Sequence, residues 1–226
     1  MPPPMSAGFC QQARNNAPNL ESRRALLIAL EDWVVSGKEP PASQYPTLGS
    51  SQLTSPDAAS VGWPDIPGVT YTTKVTLPTP LDFGPSFRSP DESGIMDQQP
   101  PKVISDSAYH ALVPRVDADG NDLGGIRPTA LAAPLGTYTG WNLRGAGFGE
   151  NELGGLWGSF IPFAKTKAER EGSHDPRLSL EERYATHEGY VSTVRRAAQQ
   201  LQAGRFLLEE DAGRLVHEAE VSTVLR

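Results

Sequence analysis

Apolar residues recur at helical spacing in one segment near the start of the chain, residues 19–36. They are Leu20, Ala25, Leu27, Ile28, Leu30, Val34 and Val35. Asn19 is of a residue type that caps the starts of helices, and Gly37 is of the type that ends them. A helix with so little polar surface has to be covered by a larger structure. The pattern therefore predicts a helix that packs against something bigger than itself.

Helical patterns also mark the end of the chain. The tetrapeptide SLEE, residues 179–182, is a capping box in which Ser179 is the N-cap and Glu182 pairs back to it. Thr186 can cap a second helix, whose apolar positions are Tyr190, Val191, Val194, Ala197, Ala198 and Leu201. A third helix is predicted over residues 207–225, with acids in its first turn, where the helix dipole favours them.

Between these helices the pattern is that of short strands and loops. The alternation of Tyr71, Thr73, Val75 and Leu77 predicts a strand over residues 71–78. Residues 113–116 and 123–126 predict a hairpin around Asp119-Gly120, because glycine accepts a positive φ in a tight turn. Residues 133–145 and 156–164 are predicted to be extended, and residues 84–101 and 145–155 to be loops.

The composition adds irregular structure and removes several classes of function. The chain has 226 residues, of which 22 are glycine and 21 are proline, more than is usual in a compact enzyme. The net charge is −7 and the basic residues are scattered, which argues against nucleic acid as a partner. No run approaches the ~20 apolar residues of a membrane span, so no span is predicted. The start, MPPPMSAGFCQQ, lacks the pattern of a signal peptide, and the localisation stays open.

The segment VDADGNDLGG, residues 116–125, begins like a calcium loop, with Asp117, Asp119 and Asn121 at alternate positions. An EF-hand loop counted from Asp117 needs glycine at its sixth position and glutamate at its twelfth. The chain has Asp122 and Pro128 there. The segment is therefore predicted to be the turn of the hairpin, and neither a metal site nor a cofactor is predicted for the chain.

Other catalytic motifs fail at identifiable positions. A dinucleotide loop built on the glycines at 145 and 147 needs another glycine at 150, where the chain has Glu150. The G-x-S-x-G motif of serine hydrolases is missing, which makes Ser159 a poor nucleophile candidate. Cys10 is the single cysteine, so a disulfide within the chain and a cysteine-based zinc site are excluded. The histidines, which form no HExxH pair, are His110, His174, His187 and His217. No catalytic residue is predicted.

The segment TYTGWNLR, residues 137–144, is the strongest candidate for binding. It places Tyr138, Trp141, Asn142 and Arg144 close together beside glycines. Such side chains can line a pocket for a sugar, an aromatic group or a carboxylate. The structural alternative is that Trp141 fills a core and Arg144 pairs with an acid. These four residues are the predicted substrate-binding set, and the structural alternative stays open.

Several long segments together resemble a known family. They are RRALLIALEDWVVSGKEPPASQYP (23–46), IPGV (66–69), LDFGP (81–85), LVPRVDADGNDLGGIRP (112–128), PLGTYTGWNLR (134–144), GSFIPFAKTKAERE (158–171) and DPRLSLEERY (175–184). Their order is similar to that in the C-terminal part of a large family of α/β-hydrolase domain proteins. The resemblance covers nearly the whole chain. It implies a mostly parallel sheet with a serine nucleophile, an acid and a histidine in that order.

The resemblance also implies where this chain lies in such a protein. The helix at 19–36 looks like the last core helix of the hydrolase, so the catalytic serine, acid and histidine would precede Met1. The implied fold class is mixed α and β: a C-terminal fragment of an α/β-hydrolase-like fold, with a loop-rich β appendage and C-terminal helices. The implied regions are the core helix and its leader (1–39), a Pro/Gly-rich β and loop region (40–165) and a C-terminal helical region (166–226).

The function implied is that of the C-terminal part of an esterase-like hydrolase, which is not catalytic alone. The substrate of the complete protein would be a small ester-like molecule, and the partner of this chain would be the missing N-terminal hydrolase part. The alternative function is a non-enzymatic accessory or ligand-binding module that shapes the pocket of a partner enzyme.

Overall fold

The computed structural model of the chain describes residues 6–17, 19–72, 74–75, 79–104, 110–156 and 158–226. These residues form a mixed α and β structure. The helices are α1 (Leu20–Ser36), α2 (Ala58–Val61), α3 (Thr129–Ala132), α4 (Lys167–Ser173), α5 (Leu180–Tyr184), α6 (His187–Ala203) and α7 (Glu209–Val221), with a 3-10 turn at Leu48–Ser50. The strands are β1 (Ala13–Arg14), β2 (Leu53–Thr54), β3 (Leu81–Asp82), β4 (Phe87–Arg88), β5 (Ser93–Gly94), β6 (Lys102–Val103), β7 (Val113–Pro114), β8 (Gly136–Tyr138) and β9 (Ser159–Pro162).

The described strands are short, and all of their pairings are antiparallel. The largest sheet has the order β1-β9-β8, in which Phe160 lies opposite both Ala13 and Tyr138. The remaining pairs are β2 with β7, β3 with β6, and β4 with β5. The mostly parallel sheet implied by the resemblance is not found among these strands. The central position of β9 brings the start of the chain beside its middle.

The hydrophobic core lies where the C-terminal helices meet α3 and the three-stranded sheet. One cluster joins the end of α3 to α5, α6 and α7, through Ala133, Tyr184, Tyr190, Val191, Val194 and Ala219. A second cluster joins α3 to the sheet, through Ala130, Tyr138 and Phe160. The apolar positions predicted for the helix after Thr186 thus face the core, which confirms the helical spacing found there.

Helix starts in the C-terminal region are confirmed by their caps. The Glu182 N–H donates to Ser179 Oγ at 3.2 Å, and the Ser179 N–H donates to the Glu182 carboxylate at 3.0 Å, which is the predicted capping box. The Thr186 hydroxyl accepts a backbone N–H at 3.1 Å and begins α6. At α1 the prediction is half right. Asn19 is the N-cap residue, but its side chain makes no capping hydrogen bond, whereas Gly37 ends the helix with φ 71°.

Predictions for the β and loop region are confirmed in part. β8 and β9 lie within the two segments predicted to be extended, although Trp157 lies outside the described residues. In the predicted strand 71–78, residues 73 and 76–78 also lie outside them, and the four described positions belong to no strand. The segment 84–101, predicted to be a loop, contains the β4–β5 ladder.

The predicted hairpin is right about the turn and wrong about its strands. Val116 and Asp122 form an antiparallel bridge across the turn, where Gly120 has φ 79°. The Leu123 N–H donates to the Arg115 carbonyl at 2.9 Å, and there the pairing ends. β7 pairs with β2 instead, because β2 supplies backbone partners from a distant part of the chain.

α1 forms as predicted, but its burial is the reverse of what its composition suggests. Its two buried residues are Ala25 and Ala29. Its exposed large apolar side chains are Leu20, Leu26, Leu27, Ile28, Leu30, Trp33, Val34 and Val35. Ion pairs attach the helix to α7, with Arg24 2.8 Å from Asp211 and Arg214 2.6 Å from Glu21. The apolar surface that the sequence predicts to be covered is therefore open within the described part of the chain.

Candidate aromatic binding site

Three aromatic residues from separate parts of the chain meet beside one cavity. The ring centroids of Trp63 and Tyr71 are 5.3 Å apart, those of Trp63 and Trp141 are 5.4 Å apart, and those of Tyr71 and Trp141 are 5.6 Å apart. All three residues line a cavity of about 350 Å³, a size typical of small-molecule sites. The rest of the wall is mainly apolar: Pro56, Val61, Val75, Val113, Val116 and Leu153.

Local structure fixes two of these rings. α2 ends at Gly62 with φ 81°, a conformation that favours glycine, and the chain turns there into Trp63. The Tyr71 hydroxyl donates to the Pro56 carbonyl at 3.0 Å, which ties that ring to the segment just before α2. Trp63 and Tyr71 are therefore positioned by the same short helix and the residues that flank it.

The third ring is positioned by the three-stranded sheet. Trp141 follows β8, and its carbonyl accepts the Ser159 hydroxyl of β9 at 2.7 Å. The Ser159 N–H donates to Thr139 Oγ1 at 2.9 Å in the same region. Gly120 completes the packing, because a Cβ there would lie only 3.2 Å from the Trp63 ring. The glycine of the turn thus allows the turn and the aromatic rings to approach each other.

Two charged residues line the cavity, Asp122 and Lys74. Lys74 forms an ion pair with Glu152. Asp122 keeps a solvent-exposed flank, yet burial by the surrounding protein raises the pKa of its carboxyl, an effect that Arg127 opposes and Asp117 reinforces. The cavity wall therefore carries one acidic and one basic side chain.

The pKa of the Tyr71 phenol is also shifted by its surroundings. Burial raises the pKa of Tyr71 above its ordinary value, and the negative charges of Asp57 and Asp122 raise it further. Asp57 caps α2, where its carboxylate accepts the Ser60 N–H at 2.9 Å. Two acidic side chains therefore act on the phenol of Tyr71.

Among the four residues predicted to bind substrate, Trp141 lines this cavity. Tyr138 lies in the core instead, with its ring centroid 5.0 Å from that of Phe160, and burial raises the pKa of its hydroxyl. Asn142 is fully buried and donates to the Gln12 carbonyl at 2.9 Å. Arg144 is exposed, and its Nε donates to a backbone carbonyl at 3.1 Å. The structure separates these side chains, and their role in substrate binding stays a prediction.

The acidic and amide side chains of the DADGND turn have protein partners. One carboxylate oxygen of Asp117 accepts the N–H groups of Asp119 and Asn121, both at 3.0 Å, and the other lies 2.8 Å from Arg127. Asp119 pairs with Arg183 at α5. The Asn121 side chain accepts from and donates to the β8 backbone. The turn therefore joins β8 to the helical region.

The possible nucleophiles and bases Ser159, His187 and Cys10 do not line the aromatic cavity. Ser159 is fully buried, and its hydroxyl is used at the Trp141 carbonyl. The Nδ1 atom of His187 lies 2.8 Å from the Val224 carbonyl, between α6 and the end of the chain. Cys10 is a buried free thiol, as its lack of a partner cysteine predicts. That no residue of this chain is catalytic stays a prediction.

Within the described ranges no group of three or more histidine, cysteine or acidic side chains is arranged to hold a metal ion. Among the described helices none has the length and apolar character that crossing a bilayer requires.

Sequence reasoning missed two of the three cavity rings. Trp63 stands in VGWPDIPGV and Tyr71 in a segment predicted to be a strand. The available signal was the concentration of Trp63, Pro64 and Tyr71 in a stretch of the chain without regular periodicity. Large aromatic residues in irregular segments are frequently held by side-chain packing, and such contacts depend on partners that are distant in the sequence.

The described residues define a mixed α and β protein with an aromatic-walled cavity. A family model described as an alpha/beta hydrolase domain matches residues 2–217. The match spans nearly the whole chain, so the chain belongs to this α/β-hydrolase domain family, and the resemblance stated from the sequence is confirmed. No curated protein and no solved structure matches the chain.

Proposed function

We propose that the chain forms the substrate-binding, non-catalytic C-terminal part of an α/β-hydrolase that acts on small ester-like molecules. Family membership supports the hydrolase class. The observation that carries the proposal is the meeting of Trp63, Tyr71 and Trp141 at one apolar cavity. Aromatic and apolar walls exclude water and favour an aryl or acyl group. In this proposal Trp141 contacts the substrate, and Asn142 and Arg144 hold its segment in place.

The exposed face of α1 supports a partner for this chain. Val34 and Val35 are 77% and 79% exposed, as part of the apolar face described above. Helices of α/β proteins cover a central sheet with such faces. We therefore propose that this face packs on the sheet of a catalytic part that supplies the serine, the acid and the histidine. The chain would then divide into a core helix with its leader (1–39), a binding region (40–165) and a helical region (166–226).

A non-enzymatic accessory or ligand-binding module is the second candidate. The same cavity favours it, because binding a small molecule requires walls and no catalytic group. The two functions differ in the fate of the bound ligand. In the hydrolase, the catalytic part cleaves a ligand that occupies the cavity, whereas the accessory module only retains it.

Replacing Trp141 with alanine should weaken the binding of a small aromatic ester such as ethyl benzoate by about tenfold, since it removes one aromatic wall. Isothermal titration calorimetry on the purified chain measures the affinity. The matched control is Trp33→Ala, because Trp33 is half exposed on α1 and does not line the cavity. Its affinity should equal that of the wild type.

Two outcomes would contradict the proposal. Equal affinity in the wild type and in Trp141→Ala would mean that the cavity does not bind the ester. A lowered Tm of Trp141→Ala with unchanged affinity would assign this residue to structure alone, in line with the alternative left open by the sequence.

A further inference from the structure

Acids outnumber bases four to two among the charged residues that line the aromatic cavity or act on its lining: Asp57, Asp117, Asp122, Glu152, Lys74 and Arg127. Lys74 lines the cavity, but its ammonium group is paired with Glu152. Arg127, the cation that acts on Asp122, lies 2.8 Å from the carboxylate of Asp117. Within the described residues, each of these two cations is thus matched by another acid. Asp122 on the wall and Asp57 nearby add negative charge beyond these pairs.

The aromatic rings add a second source of negative potential. The faces of tryptophan and tyrosine rings carry the negative part of a quadrupole and attract cations within about 6 Å of the ring centroid. Two tryptophans and a tyrosine lie within 5.6 Å of each other here. All three rings line the same cavity, so a ligand group in it meets this aromatic cluster.

We propose that this cavity selects ligands that carry an organic ammonium group, with Trp63, Tyr71 and Trp141 as the aromatic wall and Asp122 as the counter-charge. The inference rests on the proposed function, in which the same cavity binds the substrate. It narrows the substrate class to small esters with an ammonium group in the alcohol or acyl part.

The charge of Asp122 on the cavity wall favours a cation over a neutral or anionic ligand. This carboxyl lines the cavity and keeps a side open to solvent, and the surrounding protein raises its pKa. A neutral ligand would displace more water and leave the charge without compensation. A carboxylate ligand would meet the same charge as a repulsion. An ammonium group compensates the negative charge of the carboxylate, and the apolar wall accommodates the methyl or methylene groups of the ligand.

The test compares two isosteres, choline and its neutral carbon analogue 3,3-dimethylbutan-1-ol, by isothermal titration calorimetry on the purified chain. Choline should bind roughly tenfold more tightly than the neutral analogue. Asp122→Asn keeps the shape of the side chain and removes its charge. It should lower the affinity for choline about fivefold and change the affinity for the neutral analogue by less than about twofold. Glu150→Gln removes an exposed acid that does not line the cavity and should change neither affinity.

The other outcomes test the cation preference and the proposed function separately. Equal binding of the two isosteres to the wild type would overturn the cation preference while leaving the cavity as a binding site for neutral esters. Loss of binding of both isosteres in Asp122→Asn would overturn the role of its charge, provided that the circular dichroism melt is unchanged. If neither compound binds the wild type while ethyl benzoate does, the cation inference fails and the proposed function stands. If none of the three binds, both fail.

Discussion

At the scale of single residues, buried polar pairs join parts of the chain that no local pattern connects. Arg177 is almost fully buried and lies 2.6 Å from Asp175. It also donates to the Ile161 carbonyl at 3.0 Å and to Thr137 Oγ1 at 2.8 Å. Burial alone would raise the pKa of Asp175, but hydrogen bonds and charge from Arg177 outweigh it and hold the pKa below its ordinary value. One arginine therefore connects β8 and β9 with the segment before α5.

The capping residue Glu182 should make the stability of the protein depend on acidity. Hydrogen bonds from the Ser179 hydroxyl and N–H, and then Arg170, lower the pKa of Glu182 from 4.5 to about 2. A group whose pKa is lowered by folding stabilises the protein above its unfolded pKa and loses that contribution as the pH falls through its folded pKa. We expect the contribution of Glu182 to be complete above about pH 4.5 and to disappear towards pH 2.

Urea unfolding at several pH values between 5 and 2.5 measures this effect. The loss of unfolding free energy over that range should be smaller in Glu182→Gln than in the wild type, because glutamine does not titrate. Glu188→Gln, an exposed acid in the first turn of α6, should keep the pH dependence of the wild type. An identical dependence in the wild type and in Glu182→Gln would contradict the assignment.

At the scale of secondary-structure elements, the sequence predicts what depends on neighbouring residues. The capping box of α5, the spacing in α6 and the glycine that ends α1 are local, and all were predictable. The pairing of β7 with β2 was not, because Val113 and Thr54 are brought together by the fold and not by a turn. The aromatic cavity could not be predicted for the same reason, since its residues are distant in the sequence. Trp63, Tyr71 and Trp141 have no fixed spacing, and only their packing reveals the cavity.

The apolar face of α1 should cause the isolated chain to self-associate. Val34 is 77% exposed on this face, and large exposed apolar patches are unfavourable in water. Val34→Gln should shift the chain towards the monomer in light scattering coupled to size exclusion. Its Tm should change little, because an exposed side chain contributes little to folding stability.

A valine at the end of α7 provides the control for this experiment. Val221 is also exposed in a helix, at 59%, but lies outside the α1 face. Val221→Gln should associate as the wild type does. A wild-type chain that stays monomeric at high concentration, or an equal effect of both substitutions, would show that the α1 face does not drive association.

At the scale of the whole molecule, the chain belongs to a hydrolase family, and its described fold consists of antiparallel ladders packed beside a helical core. The resemblance predicted the family correctly because it rests on the order of many segments. The antiparallel pairing of the described strands is a detail that the resemblance did not specify. Family membership therefore identifies the class of protein, while the cavity and the α1 face carry the proposals about its function.

The purified chain should not hydrolyse p-nitrophenyl butyrate in a way that a serine-directed inhibitor abolishes. The reason is that Ser159, the serine beside the cavity segment, is fully buried with its hydroxyl bonded to the Trp141 carbonyl. Release of p-nitrophenol, measured by absorbance, gives the rate. Turnover abolished by the inhibitor would overturn the proposal that the chain is not catalytic, and its loss in Ser159→Ala would identify the serine responsible.

The position of β1 has a consequence for the order in which the protein acquires its structure. Ala13 and Arg14 pair with Phe160 and Ser159, and the Gln12 N–H and carbonyl bond to Asn142. During synthesis on a ribosome these early residues emerge long before their partners exist. Residues 13–14 therefore stay unpaired until most of the chain has left the exit tunnel. Non-local pairings slow the folding of a domain, so we expect the three-stranded sheet to be completed late, after residues 159–162 have emerged.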